Sequence, residues 1–578
     1  MALVMMFAGT LIVQAAPADG TPPSDLLDKK VAFVEIIGAS QISPDTILAA
    51  TRLKPGDIWS ADKVKQDLRL IYEMGTFSDV TADFSLIPEG VKVIYNVKEN
   101  PVLKGIVVQG NSKVSKEKIL SFMTVKTNTV LNSKTVATNL RAVEEYYKGL
   151  GYILVKTGDV DMGADGILKI RINEGLVEDI VVKGNVKTKA FVVTREMLTK
   201  KGQPFNSKDA RRSMQKLYNL GFFEDVNVKL VPGKQLGQTV IEVTVVEQKT
   251  GTFSIGGGYS DSNGLVGIIT VGDKNFRGVG DNLNLHWEFG GTTGATGNYS
   301  VSFQRPWLDS KQTSLGFTFY NMLTQYTDYD SGGNSISTYN KKYRGFDITL
   351  GRPVNEKATN LITLKNRWDE YIEWVGGANY NQAPYAPYYI PNNFGLTRSV
   401  MLTRVFDTRD STTSPTEGTR YALSGEFAGL GGDFTFNKFT YEIRHYWKVG
   451  KSQTVAGRGT LGYGTGGIPT TQQFTAGGID TLRGYQDNQF RGNRLATASM
   501  EYRFPIAKRV SAAFFVDMGN AWYDGGDAWK YLGVTTDSGF RVGYGTGFLF
   551  NSPFGPIRID YAIGSQGGRT HFGFGGKF

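Results

Sequence analysis

Two periodicities divide this chain. Between residues 31 and 248 one layout recurs three times. Each copy opens with a β-branched run that ends in a glycine turn: Val34–Gly38, Ile106–Gly110 and Ile180–Gly184. The turn glycines are 72 and 74 residues apart. A lysine-bearing amphipathic stretch follows, with apolar positions at helical spacing. In the third copy Ala210, Met214, Leu217 and Leu220 share one helix face. That stretch stops at a glycine set among aromatics, at Gly75, Gly151 and Gly221, a common helix C-terminal signal. Alternating strands close each copy: Val91–Val97, Ile167–Ile172 and Val240–Val246. The pattern predicts β-α-α-β-β three times, with helices on one face of a small sheet and a strand edge left for peptide docking.

From Gly251 onward the apolar period becomes two. Leu283, Leu285 and Trp287 share one face, and Asn282, Asn284 and His286 the other. Tyr299, Val301 and Phe303 alternate in the same way with Ser300, Ser302 and Gln304. Neither apolar face carries a charge. We count about sixteen such segments, each long enough for the roughly 9–11 residues that a membrane-crossing strand needs, plus a turn. The first is expected at Thr252–Tyr259. Long loops are expected at Thr324–Asn340, Trp374–Asn393 and Gly464–Arg494. A final strand ends the chain, with Phe572, Phe574 and Phe578 on one parity facing lipid. Lipid offers the backbone no partner, so the sheet is expected to close on itself. The fold class is therefore α+β repeats followed by a 16-stranded antiparallel transmembrane β-barrel.

Composition sharpens the boundary. Residues 249–578 hold 52 of the 71 glycines and 54 of the aromatic residues, as turns and lipid-interface girdles require. Cysteine is absent, which excludes disulfide scaffolds, thiolate metal sites and cysteine nucleophiles. His286, His445 and His571 are far apart in sequence, so neither a metal nor a cofactor is expected. The net charge of +10 is shared by both parts, a weak pointer to nucleic acid or anionic lipid. Leu3–Val13 is mostly apolar and Ala15 suits a cleavage site, whereas the first basic residue is Lys29. This reads as a signal peptide with a truncated start. Gly462–Gly467 fits a dinucleotide-binding glycine pattern literally. Ile468-Pro469-Thr470-Thr471 follows it where a helix is needed, and the reading is set aside. No catalytic constellation stands out, and an enzyme is not expected.

The segment Gly477-Gly478-Ile479-Asp480-Thr481-Leu482-Arg483-Gly484-Tyr485 resembles the (V/I/L)RG(F/Y) motif of the BamA-type outer-membrane assembly superfamily. The three repeats resemble that family's POTRA domains. Phe515-Val516-Asp517-Met518-Gly519, Ser552-Pro553-Phe554-Gly555-Pro556 and the terminal Phe578 match in the same order. The implied domains are a signal peptide (1–15), a linker (16–30), POTRA units at 31–98, 99–175 and 176–248, and a barrel at 249–578. In that family the motif loop folds into the barrel and its arginine meets an acidic wall residue. By resemblance Arg483 takes the arginine's place beside Gly484 and Tyr485, with Asp517 as its partner and Glu501 as a second acidic wall position. A guanidinium fork suits such an anchor in a wet lumen.

The resemblance implies an outer-membrane protein with periplasmic repeats. It would receive unfolded β-barrel proteins, together with periplasmic chaperones and accessory subunits, and fold them into the outer membrane without nucleic acid. Insertion would run through a lateral gate between the first barrel strand, with Gly256, Gly257 and Gly258, and the last, with Phe572, Phe574 and Phe578. Glycine weakens strand pairing there. Three alternatives stand beside it, of which a passive porin is discounted by the repeats. A TamA-type translocation and assembly module also has three POTRA units. A two-partner secretion transporter has two and usually a plugging helix, for which Ala16–Lys30 offers no pattern.

Overall fold

A computed structural model describes residues 28–163, 165–260, 264–411, 415–552 and 555–574. The signal peptide expected at 1–15, most of the linker and Phe578 lie outside the described residues. The chain forms two compact units that meet in sequence at Glu247 and Gln248, with Lys187–Lys189 belonging to the second.

In the first unit each repeat builds a three-stranded sheet whose last strand lies in the middle. Gly90–Glu99 runs parallel to Val31–Ile37 and antiparallel to Phe77–Ile87. Ile167–Asn173 does the same between Gly105–Gln109 and Lys156–Met162, and Gln238–Glu247 between Leu176–Lys183 and Phe223–Pro232. Two helices precede the second strand of each repeat. The longer ones are Ala61–Glu73, Ser133–Leu150 and Ser207–Asn219. Each buries one stripe on its sheet, such as Val136, Leu140, Val143 and Tyr147. In the third repeat Ala210 and Leu217 are buried, with Met214 and Leu220 packed beside them.

The turn glycines are steric necessities. A Cβ on Gly38, Gly110 or Gly184 would lie 2.2, 2.2 or 2.1 Å from the carbonyl oxygen of Val97, Ile172 or Val245. A glutamate at the end of each central strand then holds the backbone after that turn. Glu99 accepts from the N–H groups of Ser40, Gln41 and Ile42 at 2.8–3.1 Å. Glu174 accepts from the N–H groups of Ser112 and Lys113 (2.8 and 2.9 Å) and from the Tyr147 hydroxyl (3.0 Å). Glu247 accepts from Val186 N–H at 3.2 Å.

An Asn-Ser pair joins successive repeats. Asn132 caps its own helix by accepting from Thr135 N–H, and it also donates to Met74 O at 2.8 Å. Ser133 N–H donates to Gly75 O at 2.8 Å. Asn206 and Ser207 repeat this on Leu150 O and Gly151 O. The glycine ending one long helix thus receives the cap of the next.

The second unit is a 16-stranded antiparallel sheet in chain order, from Gly251–Ser260 to Gly567–Phe574. The hairpin Phe474–Ala476 with Phe490–Gly492 stands apart from it. The outward-facing positions of the strands are largely apolar. Leu285, Trp287 and Tyr299 are exposed, as are Met500, Tyr502, Phe514, Val516, Val542, Tyr544, Tyr561 and Phe572. Phe574 pairs with Ile557 in the ladder. The expected closure is absent among the described residues. The first and last strands lie side by side, but no ladder joins them.

Thr324–Asn340 is not a loop. Strands Ser314–Tyr329 and Ser335–Asn355 run through it, and only 330–334 turn. The polar residues there sit on paired strands, and Asp330 closes the turn by accepting from Asn334 N–H at 2.8 Å. The expected loop at Trp374–Asn393 starts as strand, to Gly377, and ends in the helix Ala386–Asn393. Strands likewise take both ends of Gly464–Arg494. Because neighbouring strands alternate in direction, the long connections 378–394, 467–493 and 523–540 all leave the same end of the sheet.

Replacing Glu174 by alanine would leave two backbone donors and a buried hydroxyl unpaired. We expect a loss of about 2–3 kcal/mol in that repeat, read by hydrogen exchange around Ser112. Unchanged protection would contradict it. At Glu99 burial opposes ionisation, but the N–H groups of Ile42, Gln41 and Ser40 and the Ser40 hydroxyl outweigh it and hold the carboxyl below its ordinary value. Its contribution is therefore complete above the unfolded value of 4.5 and fades as pH falls through the lowered folded value. Glu99→Gln should flatten that acid limb in exchange measured at residues 40–42. An acid limb as steep as the wild type's would argue against the clamp.

Candidate functional site

The connection 467–493 folds back inside the sheet, and its centre is Arg483. This side chain is fully buried. Its Nε and Nη2 donate to the two oxygens of Asp517 at 2.7 and 2.9 Å, a two-pronged fit. Nη1 donates to Asp560 at 3.0 Å, and the guanidinium lies 3.2 Å from the centroid of the Phe515 ring. Glu501 stands 3.7 Å from Nη1, within ion-pair range but beyond a hydrogen bond; it accepts from Arg503 Nε at 3.1 Å.

Period two brings these carboxylates together. Ser499 and Asp517 are directly paired across neighbouring strands, so Glu501, two residues on, shares their face. Ser499 donates to Asp517 as well. Of the residues singled out by sequence, Arg483, Gly484, Tyr485, Glu501 and Asp517 thus converge. Gly256, Gly257 and Gly258 lie apart from them on the first strand, opposite Ile268, Gly267 and Val266. Phe572 sits on the last strand opposite Ile559.

Glycine makes room for the turn. Gly484 has φ +92°, a conformation that L side chains avoid. A Cβ on wall residue Gly543 would lie 1.8 Å from Arg483 O. Tyr485 donates to Val542 O at 3.1 Å and accepts from Ser565 N–H at 3.2 Å. Other wall cations hold the loop by its carbonyls. Lys438 reaches Gln472 O (2.7 Å), Arg458 reaches Asp480 O (3.0 Å) and Arg558 reaches Ile479 O (2.9 Å).

The sequence reading missed several partners. Asp560 and Arg558 alternate with Ile557, Ile559 and Tyr561, so charge on the lumen parity was the available signal. His571 was overlooked on the same grounds. A second buried arginine had no local signal at all. Arg491 pairs with Asp328, more than 160 residues away, and its Nη1 donates to Tyr326 at 3.3 Å. Around Asp328 lies an aromatic cluster built from Tyr339, Tyr380, Tyr389 and Phe394.

Removing one member of a buried ion pair leaves the other charge stranded. Arg483→Ala and Asp517→Ala should each destabilise the barrel. Their double-mutant cycle should show a coupling of about 2–3 kcal/mol in unfolding of the lipid-embedded protein. Additive effects would dismiss the pairing as a stabilising contact.

Comparison with known proteins agrees with this architecture. The profile of the Omp85 superfamily domain matches residues 275–578, more than half of the chain. The POTRA profile, described as a surface antigen variable number repeat, matches 29–100, 101–175 and 176–248. The outer membrane protein assembly factor BamA of Nitratidesulfovibrio vulgaris is 23% identical over 748 aligned positions, covering 95% of this chain and 91% of that protein. The chloroplastic outer envelope protein 80 of Arabidopsis thaliana is 23% identical, covering 89% and 72%. Among solved structures, Haemophilus ducreyi BamA lacking POTRA domains 1–3 aligns with TM-score 0.54 and 19% identity, over 82% of this chain and 98% of that one. CdiB from Escherichia coli aligns with TM-score 0.57 and 16% identity, over 81% and 87%; at these identities both likenesses speak for the fold. On its profile match, its repeats and its sixteen strands, the chain belongs to the Omp85 superfamily.

Proposed function

We propose that this protein is an outer-membrane protein assembly factor. The relatives that carry the BamA name support assembly as the general activity. In this reading the barrel lies in the outer membrane and the three POTRA units extend into the periplasm. The client is an unfolded outer-membrane β-barrel protein, delivered by chaperones or accessory subunits. No bond of the client is made or broken, and no cofactor is used.

The observation that carries the mechanism is the seam. Gly251–Ser260 and Gly567–Phe574 border each other without a ladder among the described residues. An unpaired strand edge attracts another strand. In water that is a hazard, and in lipid an unpaired backbone is costlier still. A client strand that pairs there satisfies both edges, which is strand addition put to use. Gly256, Gly257 and Gly258 bring little side-chain packing to the first strand, so opening costs less there than elsewhere. Arg483 and its carboxylates keep the loop against the strands that approach the seam from the C-terminal side.

The absence of native cysteine makes the test clean. One cysteine placed in each seam strand and oxidised should abolish client insertion in reconstituted vesicles, with recovery on reduction. Full insertion by the locked protein would refute the gate. Depletion followed by outer-membrane proteomics separates the readings. Broad loss of barrel proteins fits assembly, and loss of a single exported protein fits a transporter.

A further inference from the structure

The inward turn is tied to the last strand by a histidine. Two successive backbone N–H groups of the motif end on the barrel wall: Arg483 N–H on Asp517 at 3.1 Å, and Gly484 N–H on His571 Nε2 at 3.0 Å. His571 is 4% exposed and belongs to Gly567–Phe574, the strand that borders the seam. A backbone N–H only donates. Nε2 must therefore carry the lone pair, which makes this imidazole neutral, with its proton on Nδ1. Two residues on, a Cβ at Gly573 would lie 2.7 Å from Ile479 Cδ1, so the loop also rests on the strand where a side chain is missing.

The charges around the ring agree with a neutral imidazole. Asp560, directly across the ladder from His571, is engaged by Arg483 and Arg558. Asp517 is taken by Arg483, and Glu501 by Arg503. On its own strand the next inward position is Arg569. Tyr485, next to Gly484 on the loop, is turned to Val542 and Ser565, and the neighbouring first strand, Gly251–Ser260, contains no charged residue. Arg483 and Arg558 both stand on Asp560, the carboxylate across the ladder, so an imidazolium would face two guanidiniums there. It would also turn an N–H donor toward the N–H of Gly484.

We propose that His571 is a positioning residue: neutral, it latches the motif turn to the seam strand, and protonated, it lets the turn go. The latch stands on the geometry alone; its use in client insertion rests on the assembly reading above.

The test is amide exchange at Gly484 in the full chain embedded in lipid, expressed as protection over intrinsic exchange at pH about 8 and about 5.5. Wild-type protection should fall about tenfold at the lower pH, as a buried hydrogen bond is lost. His571→Gln keeps an acceptor that does not titrate and should hold the higher protection at both values. His571→Phe, which has no acceptor, should show the lower protection at both. Wild-type protection independent of pH, a His571→Gln response matching the wild type, or full protection in His571→Phe would each overturn the latch. No client is present in this measurement, so failure of vesicle insertion bears on the assembly reading and leaves the latch untouched.

Discussion

A backbone amide facing hydrocarbon has no water to bond, and this constraint organises the second unit. Each strand from Gly251–Ser260 to Gly567–Phe574 satisfies its neighbour in strict chain order. Among the described residues the run of ladders is therefore interrupted between its ends. What surrounds that place becomes intelligible from there: a glycine triplet in the first strand, a histidine under the last, and an inward loop held to the wall before it.

The loop is held by charge because the lumen tolerates charge that a lipid-facing surface does not. Outward positions carry Met500, Val516 and Tyr544, and inward ones carry Glu501, Asp517, Asp560 and their arginines. Burying a guanidinium is costly unless its donors are met, and Arg483 meets this with three hydrogen bonds from its side chain. Arg491 anchors the loop's return at Asp328, in a distant hairpin. The loop thus spans the lumen, fixed near the seam at one point and far from it at another.

The first unit solves a smaller problem three times. Each repeat has too little core to stand firmly alone, so turns and joints carry polar staples. Residues 29 positions after the turn glycine, Asp67, Asn139 and Ser213, each accept a backbone N–H from the connection between the two helices, at 2.6, 2.9 and 2.9 Å. Three different residue types serve one purpose because each offers an oxygen at the same place. That interchange hid the position from a search for repeated letters, whereas the glycines, which admit no substitute, were plain.

By itself the sequence determined whatever depends on near neighbours. Helix faces, the period-two strands and the turn glycines follow from local spacing. The resemblance at Leu482-Arg483-Gly484-Tyr485 then pointed to the partner. The tertiary structure decided what depends on register and on distant segments. It paired Arg491 with Asp328, set Asp560 and His571 beside the motif, ran strands through Thr324–Asn340 and left the sheet without a closing ladder among the described residues. The physical reason is that alternation tells which way a side chain points. Only the stagger of sixteen strands tells what it meets.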